Sequence, residues 1–114
     1  MLQHGAKLLV AHRRLFEDDK SRYFVGKVEG FENALVQLTG HTWVQDQFNG
    51  KMVKKEEVCT KIMSPVNPGL IFYVLPNSLA LDELVFEFTE DNRLLVHDPK
   101  KIFRMDLTEM CHAK

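Results

Sequence analysis

Apolar and polar residues alternate along much of the chain, and this pattern predicts short β-strands. Alternation is clearest from Ala34 to Gln45. One face of this segment carries Ala34, Val36, Leu38 and Val44, and the other carries Gln37, Thr39, His41 and Gln45. Such a strand has one buried face and one wetter face, which is typical of antiparallel sheets. Trp43 lies beside His41 on the face predicted to be wetter.

A second strand precedes this one and forms a hairpin with it. The segment from Arg22 to Glu29 is rich in β-formers, and residues 30–33 (G-F-E-N) predict the turn. Asn33 tolerates a positive φ there. Gly26 lies inside the strand, where the missing side chain suits a tight bend or a close neighbour. This hairpin is expected to organise the rest of the fold.

The other elements follow from shorter patterns. Residues 7–16 fit a strand that ends near Phe16, with a helix as the alternative, and the acidic segment after them fits a loop. Residues 79–84 predict a short helix. Residues 51–57 predict an exposed edge strand or a protruding hairpin. The remaining predicted strands are 58–63, 70–75, 85–89, 93–97 and 102–107. The segment Leu70–Leu75 is uniformly apolar and is therefore expected to be buried on both faces.

Together these elements predict a mainly β fold. We expect a small antiparallel β-barrel or a strongly bent sheet of about six to eight strands, with one short helix. The length of 114 residues indicates a single domain that spans residues 1–114. Residues 108–114 are expected to form a mobile tail.

Composition excludes some function classes. The formal net charge of −1 disfavours a sequence-wide attraction to nucleic acid or anionic lipid. No apolar stretch approaches the roughly 18 residues of a membrane span, and the N-terminus does not resemble a signal peptide. Cys59 and Cys111 form no C-x-x-C pair and are expected to be reduced thiols, with a disulfide between them as the alternative. A cytoplasmic location fits these observations.

Catalytic and metal-binding motifs are missing from the sequence. It contains no G-x-S-x-G, P-loop, G-x-G-x-x-G or H-E-x-x-H segment. His12, His41 and His97 are spread over three predicted strands without a His-x-His pair. We therefore predict no metal site and no cofactor, and an enzyme is disfavoured.

His41 and Trp43 are the most informative local pair. Residues two apart in a strand stand side by side on one face, and tryptophan is enriched at interface hot spots. The pair is therefore a candidate contact for a ligand or for another subunit. The alternative is that a second sheet or the short helix covers Trp43.

Basic residues form two clusters. The first contains Arg13, Arg14 and Arg22 beside His12, and the second contains Lys51, Lys54 and Lys55. Acidic neighbours, Glu17 to Asp19 and Glu56 with Glu57, would offset both clusters. A solvated surface of mixed charge is therefore favoured over a nucleic-acid interface.

The hairpin also carries a resemblance to known small barrels. The pattern V-G-K-V-(x)7-V-Q-L-T-G-H-x-W-V resembles the bent central strands of SH3-like and Sm-like proteins. Sm-like proteins have an Asp and an Asn in the turn region. Glu32 and Asn33 lie nearby at a different spacing, so the RNA binding of that family is not carried over. The segments R-R-L-F and T-G-H-x-W are similar to those of small bacterial proteins, without implying a function.

These observations favour a non-catalytic binding or assembly module that forms homo-oligomers. Trp43, Phe48 and the Leu70–Leu75 segment are more apolar surface than one small barrel readily covers. A different protein partner would serve the same purpose. The alternative functions are a nucleic-acid-binding small barrel and a small enzyme that uses His41.

Overall fold

The computed structural model describes residues 3–13, 21–100 and 103–108. These residues form nine β-strands and one short 3-10 helix, Leu81–Glu83. The strands are β1 (Lys7–His12), β2 (Arg22–Glu32), β3 (Leu35–Gln45), β4 (Met52–Lys54), β5 (Cys59–Met63), β6 (Leu70–Leu75), β7 (Val85–Phe88), β8 (Leu94–His97) and β9 (Arg104–Asp106). The prediction of a mainly β protein is confirmed.

The larger sheet has six antiparallel strands. Its path runs β4-β3-β2-β1-β6, and β5 also pairs with β3. Strand β3 is long enough to hold both neighbours on one edge, because β5 pairs along Val36–Gly40 and β4 pairs along Trp43–Gln45. The smaller sheet has the order β7-β8-β9. The described strands therefore form two antiparallel sheets without a closed barrel.

Both faces of the larger sheet are covered. One face carries a core cluster of its own, made of Leu8, Val10, Phe24, Val28, Val36, Leu38 and Met63. The other face packs on the smaller sheet, and Leu9, Tyr23 and Val25 lie there with Phe86, Leu94 and Val96. This arrangement explains why Leu8, Leu9 and Val10 are consecutive and all fully buried. A strand that is buried on both faces is a continuous apolar run and does not alternate with polar residues.

The two central strands approach each other closely at Gly26 and Gly40, which are directly paired. A Cβ atom at Gly40 would lie 1.9 Å from the carbonyl oxygen of Val25. A Cβ atom at Gly26 would lie 2.5 Å from the carbonyl oxygen of Thr39. The prediction of a close neighbour at Gly26 is therefore confirmed, and Gly40 shares the requirement.

Several predicted bounds need correction. Strand β2 continues to Glu32, and the turn lies at Asn33 and Ala34, where Asn33 has φ of 55°. Strand β1 ends at His12, and the loop predicted after it falls mostly in residues 14–20, outside the described ranges. The predicted tail also lies outside them, except for residue 108.

Strand β6 differs most from its prediction. It was expected to be buried on both faces, but it forms the edge of the larger sheet and pairs with β1 alone among the described strands. Leu75 is buried, the four residues 70–73 are half-buried, and Val74 is 73% exposed. The helix predicted for 79–84 is reduced to three residues, although Leu79 and Leu84 on either side of it are buried.

Candidate functional site

His41 and Trp43 line one cleft of about 310 Å³. Strand β3 places them there opposite Val25 and Tyr23 of β2. Lys27, Lys54 and Asp82 also line this cleft, as does the loop before the 3-10 helix. The structure thus brings the two predicted binding residues together at a concave surface.

Trp43 also belongs to the core between the sheets. Its ring centroid lies 4.6 Å from that of Phe86 on β7, at an interplanar angle of 36°. Tyr23 packs on the same Phe86 ring at 5.4 Å. The prediction that this face of β3 is the wetter one is correct at Gln37, which is exposed, and wrong at Trp43, where the smaller sheet covers the face. Covering by a second sheet was the structural alternative for Trp43.

The described side chains around His41 do not position its imidazole for acid–base catalysis. Among the described residues, the His41 imidazole forms no hydrogen bond or ion pair that would orient it as a general base. The Lys7 ammonium at the cleft wall donates to the carbonyl oxygens of Asn77, at 2.7 Å, and Leu79. Lys7 therefore fastens the loop after β6 to the larger sheet rather than facing a ligand.

A second concave surface holds part of the predicted basic cluster. We call it the basic groove; its volume is about 680 Å³. It is lined by His12, Arg13, Ser21, Arg22, Val44, Gln45, Asp46, Gln47, Phe48, Val53 and Lys55. Arg13 and Arg22 come from the first sequence cluster and Lys55 from the second, so the fold combines them. Arg14 lies outside the described residues.

The basic groove also contains an exposed aromatic ring on a well-tied turn. Phe48 is 92% exposed. Its amide donates to Oδ1 of Asp46 at 2.7 Å, and the Asn49 amide donates to the same atom at 3.2 Å. The Gly50 amide donates to the Asp46 carbonyl at 2.9 Å, and Nε2 of Gln45 donates to the Gly50 carbonyl at 3.1 Å. These bonds hold the turn while the ring of Phe48 faces solvent.

His12 lines both the basic groove and a third concave surface. Lys61 and Met63 also line this third surface. Its Nε2 atom is buried and has no hydrogen-bond partner among the described residues. Burial lowers the pKa of His12 from its ordinary value of 6.5, and the charges of Arg22 and Lys61 lower it further. The neutral imidazole is therefore favoured in a locally positive environment.

The outer edge of β6 presents main-chain groups that, with one exception, have no partner among the described residues. The Arg13 amide donates to the Gly69 carbonyl at 2.8 Å, one position beyond the pair of His12 and Leu70. Hydrogen-bonded and non-hydrogen-bonded pairs alternate in antiparallel ladders. The main-chain groups of Ile71, Tyr73 and Leu75 therefore point to β1. Those of Leu70, Phe72 and Val74 point away from the sheet, apart from the Leu70 amide, which donates to Asn67.

The opposite edge of the larger sheet is protected by charge. Strand β4 contains Lys54, and strand β5 contains Lys61. Strand β6 contains no charged residue. Lysine on an edge strand opposes pairing with another chain, so the two edges of this sheet differ in their capacity to associate.

Other kinds of site find less support. Among residues 3–13, 21–100 and 103–108, no three His, Cys, Asp or Glu side chains are grouped so that they could hold a metal ion. No helix in the same ranges is long and apolar enough to cross a membrane. Cys59 is half-buried on β5, and Cys111 lies outside the described ranges.

The chain was compared with known proteins. No family model matches it, and the searches of curated proteins and of solved structures find no significant match. Two features of these surfaces were not predicted from the sequence: the free edge of β6 and the convergence of Arg22 with Lys55. Both depend on pairing between strands that are distant in sequence. The local signals were the lack of charge in Leu70–Leu75 for the edge and the D-Q-F-N-G turn for the groove.

Proposed function

We propose that this protein is a non-catalytic assembly module whose copies associate through the free edge of β6. The observation that carries the proposal is an apolar, uncharged edge strand whose outer main-chain groups, apart from the Leu70 amide, have no partner among the described residues. Exposed edges of this kind are templates for pairing with another strand. The prediction of a homo-oligomer thereby gains a specific surface.

A second copy of the chain suits this edge because the strand is self-complementary. Two β6 strands related by a twofold axis pair in the antiparallel direction. Twofold symmetry is the commonest symmetry of homodimers. Each copy then supplies the outward-facing groups of Phe72 and Val74 to the other. The exposed side chain of Val74 and the half-buried side chain of Phe72 lose further surface to water in that pairing. Pro68 and Pro76 flank the strand and limit the pairing to its length.

The test is the molar mass of the full chain in solution. Size-exclusion chromatography with light scattering should show twice the chain mass of 13.2 kDa as the concentration rises towards about 1 mM. Val74→Lys places a charge on the edge without disturbing a core, since Val74 is 73% exposed. This variant should remain a monomer over the same range.

Val58→Lys is the matched control, because Val58 is 65% exposed and precedes β5 at the opposite edge. It should associate like the unsubstituted chain. Hydrogen exchange gives a second measurement: the amides of Phe72 and Val74 should become protected as the concentration rises. A chain that stays monomeric near about 1 mM would overturn the proposal. Association that Val58→Lys abolishes and Val74→Lys does not would overturn it as well.

A further inference from the structure

The basic groove combines cationic side chains from three separate parts of the fold. Arg13 follows β1, Arg22 begins β2, and Lys55 follows β4. All three are exposed, and none forms an ion pair with another described residue. Asp46 is the one carboxylate among the described residues of the lining, and its Oδ1 atom already accepts two amide hydrogen bonds from the turn. The described lining of the groove therefore carries a net positive charge.

Phe48 adds an aromatic surface to this charge. A phenylalanine exposed to 92% contributes little to the stability of the fold, because its ring remains in water. The hydrogen bonds within the turn hold its main chain in place, so little conformational entropy remains to be lost there on binding. An exposed aromatic ring in a groove that arginine and lysine side chains also line matches two requirements of single-stranded nucleic acids: stacking for a base and cations for the phosphates.

We propose that the basic groove binds single-stranded nucleic acid, with a base stacked on Phe48 and phosphates held by Arg13, Arg22 and Lys55. This activity goes beyond the assembly through β6 and does not depend on it. Stacking accepts any base, and the cations contact the backbone, so binding has little sequence preference. A duplex keeps its bases stacked on one another and presents none to Phe48.

The location of His12 supports an anionic occupant. His12 lies in the wall of the groove, and its pKa is lowered first by burial and then by the charges of Arg22 and Lys61. Of these two cations, Arg22 lines the groove itself, so the charge that disfavours a proton on His12 also attracts a phosphate into the groove.

The test is fluorescence anisotropy of labelled single strands, about ten thymidine or uridine nucleotides long, titrated with the full chain at about 50 mM salt. Binding should be measurable and should weaken with salt. Three phosphate contacts on a single strand predict a slope of about −2 for the logarithm of the binding constant against that of the salt concentration. Arg22→Gln should reduce the magnitude of this slope by about 0.7.

Phe48→Leu should weaken binding about tenfold, because it removes one stacked base and leaves the charges unchanged. Phe31→Leu is the matched control, since Phe31 is a 53% exposed phenylalanine near the turn that joins β2 and β3, outside the groove. Lys100→Gln controls for a change in net charge at an exposed position outside the groove. Both control variants should bind like the unsubstituted chain.

Three results would overturn the proposal. The first is a lack of binding at about 50 mM salt. The second is equal affinity for a duplex of the same length. The third is equal weakening by Phe48→Leu and Phe31→Leu, or by Arg22→Gln and Lys100→Gln, which would indicate unspecific attraction. The Val74→Lys variant keeps this test separate from assembly, because it should bind the oligonucleotide while remaining a monomer.

Discussion

His12 is the residue at which the end of a strand, a core boundary and the basic groove meet. Its neighbour Ala11 is buried and Arg13 is exposed, so the chain passes from the core to the surface at this position. Its imidazole contributes to the stability of the fold in the neutral form, because burial and two cations disfavour the charged one. This state has a consequence for the pH dependence of folding.

We predict that His12 makes the protein less stable in mild acid. Its folded-state pKa lies below 6.5, so the unfolded chain takes up the proton first as the pH falls. The stability contributed by neutral His12 is therefore complete above pH about 6.5 and is lost progressively below it. Denaturant unfolding should show a steeper fall in the free energy of unfolding between pH about 7 and about 5 for the unsubstituted chain than for His12→Gln.

An NMR titration of the His12 imidazole checks the cause directly. Arg22→Gln should raise the pKa of His12, since it removes one of the two cations that lower it. Lys100→Gln supplies the control, because its side chain is not among those causes. A His12 that titrates at or above 6.5 in the folded chain would contradict the prediction.

Trp43 shows what residue patterns predict and where they fail. Alternation along β3 correctly predicted that Val36 and Leu38 are buried, since they are 2% and 0% exposed. It was wrong for Ala34, which is exposed, and for Val44, which is half-buried and lines the basic groove. It wrongly placed Trp43 on a wetter face. A single strand carries no information about a second sheet formed some 40 residues later. The break in alternation at Trp43 was the one local sign that a second layer packs on this end of β3.

At the scale of elements, the residues that form a strand were easier to predict than the place of that strand in its sheet. The hairpin of β2 and β3 and that of β7 and β8 lie close to their predicted ranges, because turn residues such as Asn33 mark them. The uniformly apolar β6 was assigned to the interior because its composition resembles that of a central strand. A central strand pairs with two neighbouring strands and an edge strand with only one. Whether a second neighbour is present depends on the topology of the whole sheet.

The central hairpin depends on two glycines, and we predict that Gly40→Ala is strongly destabilising. The new Cβ atom would lie 1.9 Å from the Val25 carbonyl oxygen and 2.5 Å from the Gly26 Cα atom. Both obstacles are backbone, so relief requires the strands to move apart along a ladder that joins most of the sheet. We expect the free energy of unfolding to fall by about 3 kcal/mol or more, measured by urea denaturation.

Gly30→Ala is the matched control in the same hairpin. A Cβ atom at Gly30 has no heavy atom within 4 Å, and its φ is not positive. We expect its stability to change by less than about 1 kcal/mol. If Gly40→Ala is destabilised so far that it shows no cooperative unfolding transition while Gly30→Ala still does, this result would agree with the prediction. Equal stabilities of the two variants would contradict it.

At the scale of the whole molecule, two core clusters lie on opposite faces of one sheet. Strand β1 contributes to both, through Leu8 and Val10 on one face and Leu9 on the other. The smaller sheet depends on the larger one for its buried surface, because its strands have three or four residues each. Strands this short form no stable sheet alone, so the two sheets should fold together.

We predict that Val96→Ala tests this dependence. Val96 is fully buried in β8, between β7 and β9, and belongs to the cluster between the sheets. The substitution should lower the free energy of unfolding by about 2 kcal/mol. Trp43 fluorescence reports the contact with Phe86, and far-UV circular dichroism reports the strands of both sheets. Both signals should shift together to lower denaturant concentration, as expected for two-state unfolding.

The control is Val66→Ala, which removes the same atoms from a loop side chain that is 76% exposed. Its transition should coincide with that of the unsubstituted chain. A fluorescence transition of Val96→Ala that precedes the circular dichroism transition would contradict the prediction. The smaller sheet would then detach from Trp43 while the larger sheet remained folded, and the contact between Trp43 and Phe86 would join two separate folding units.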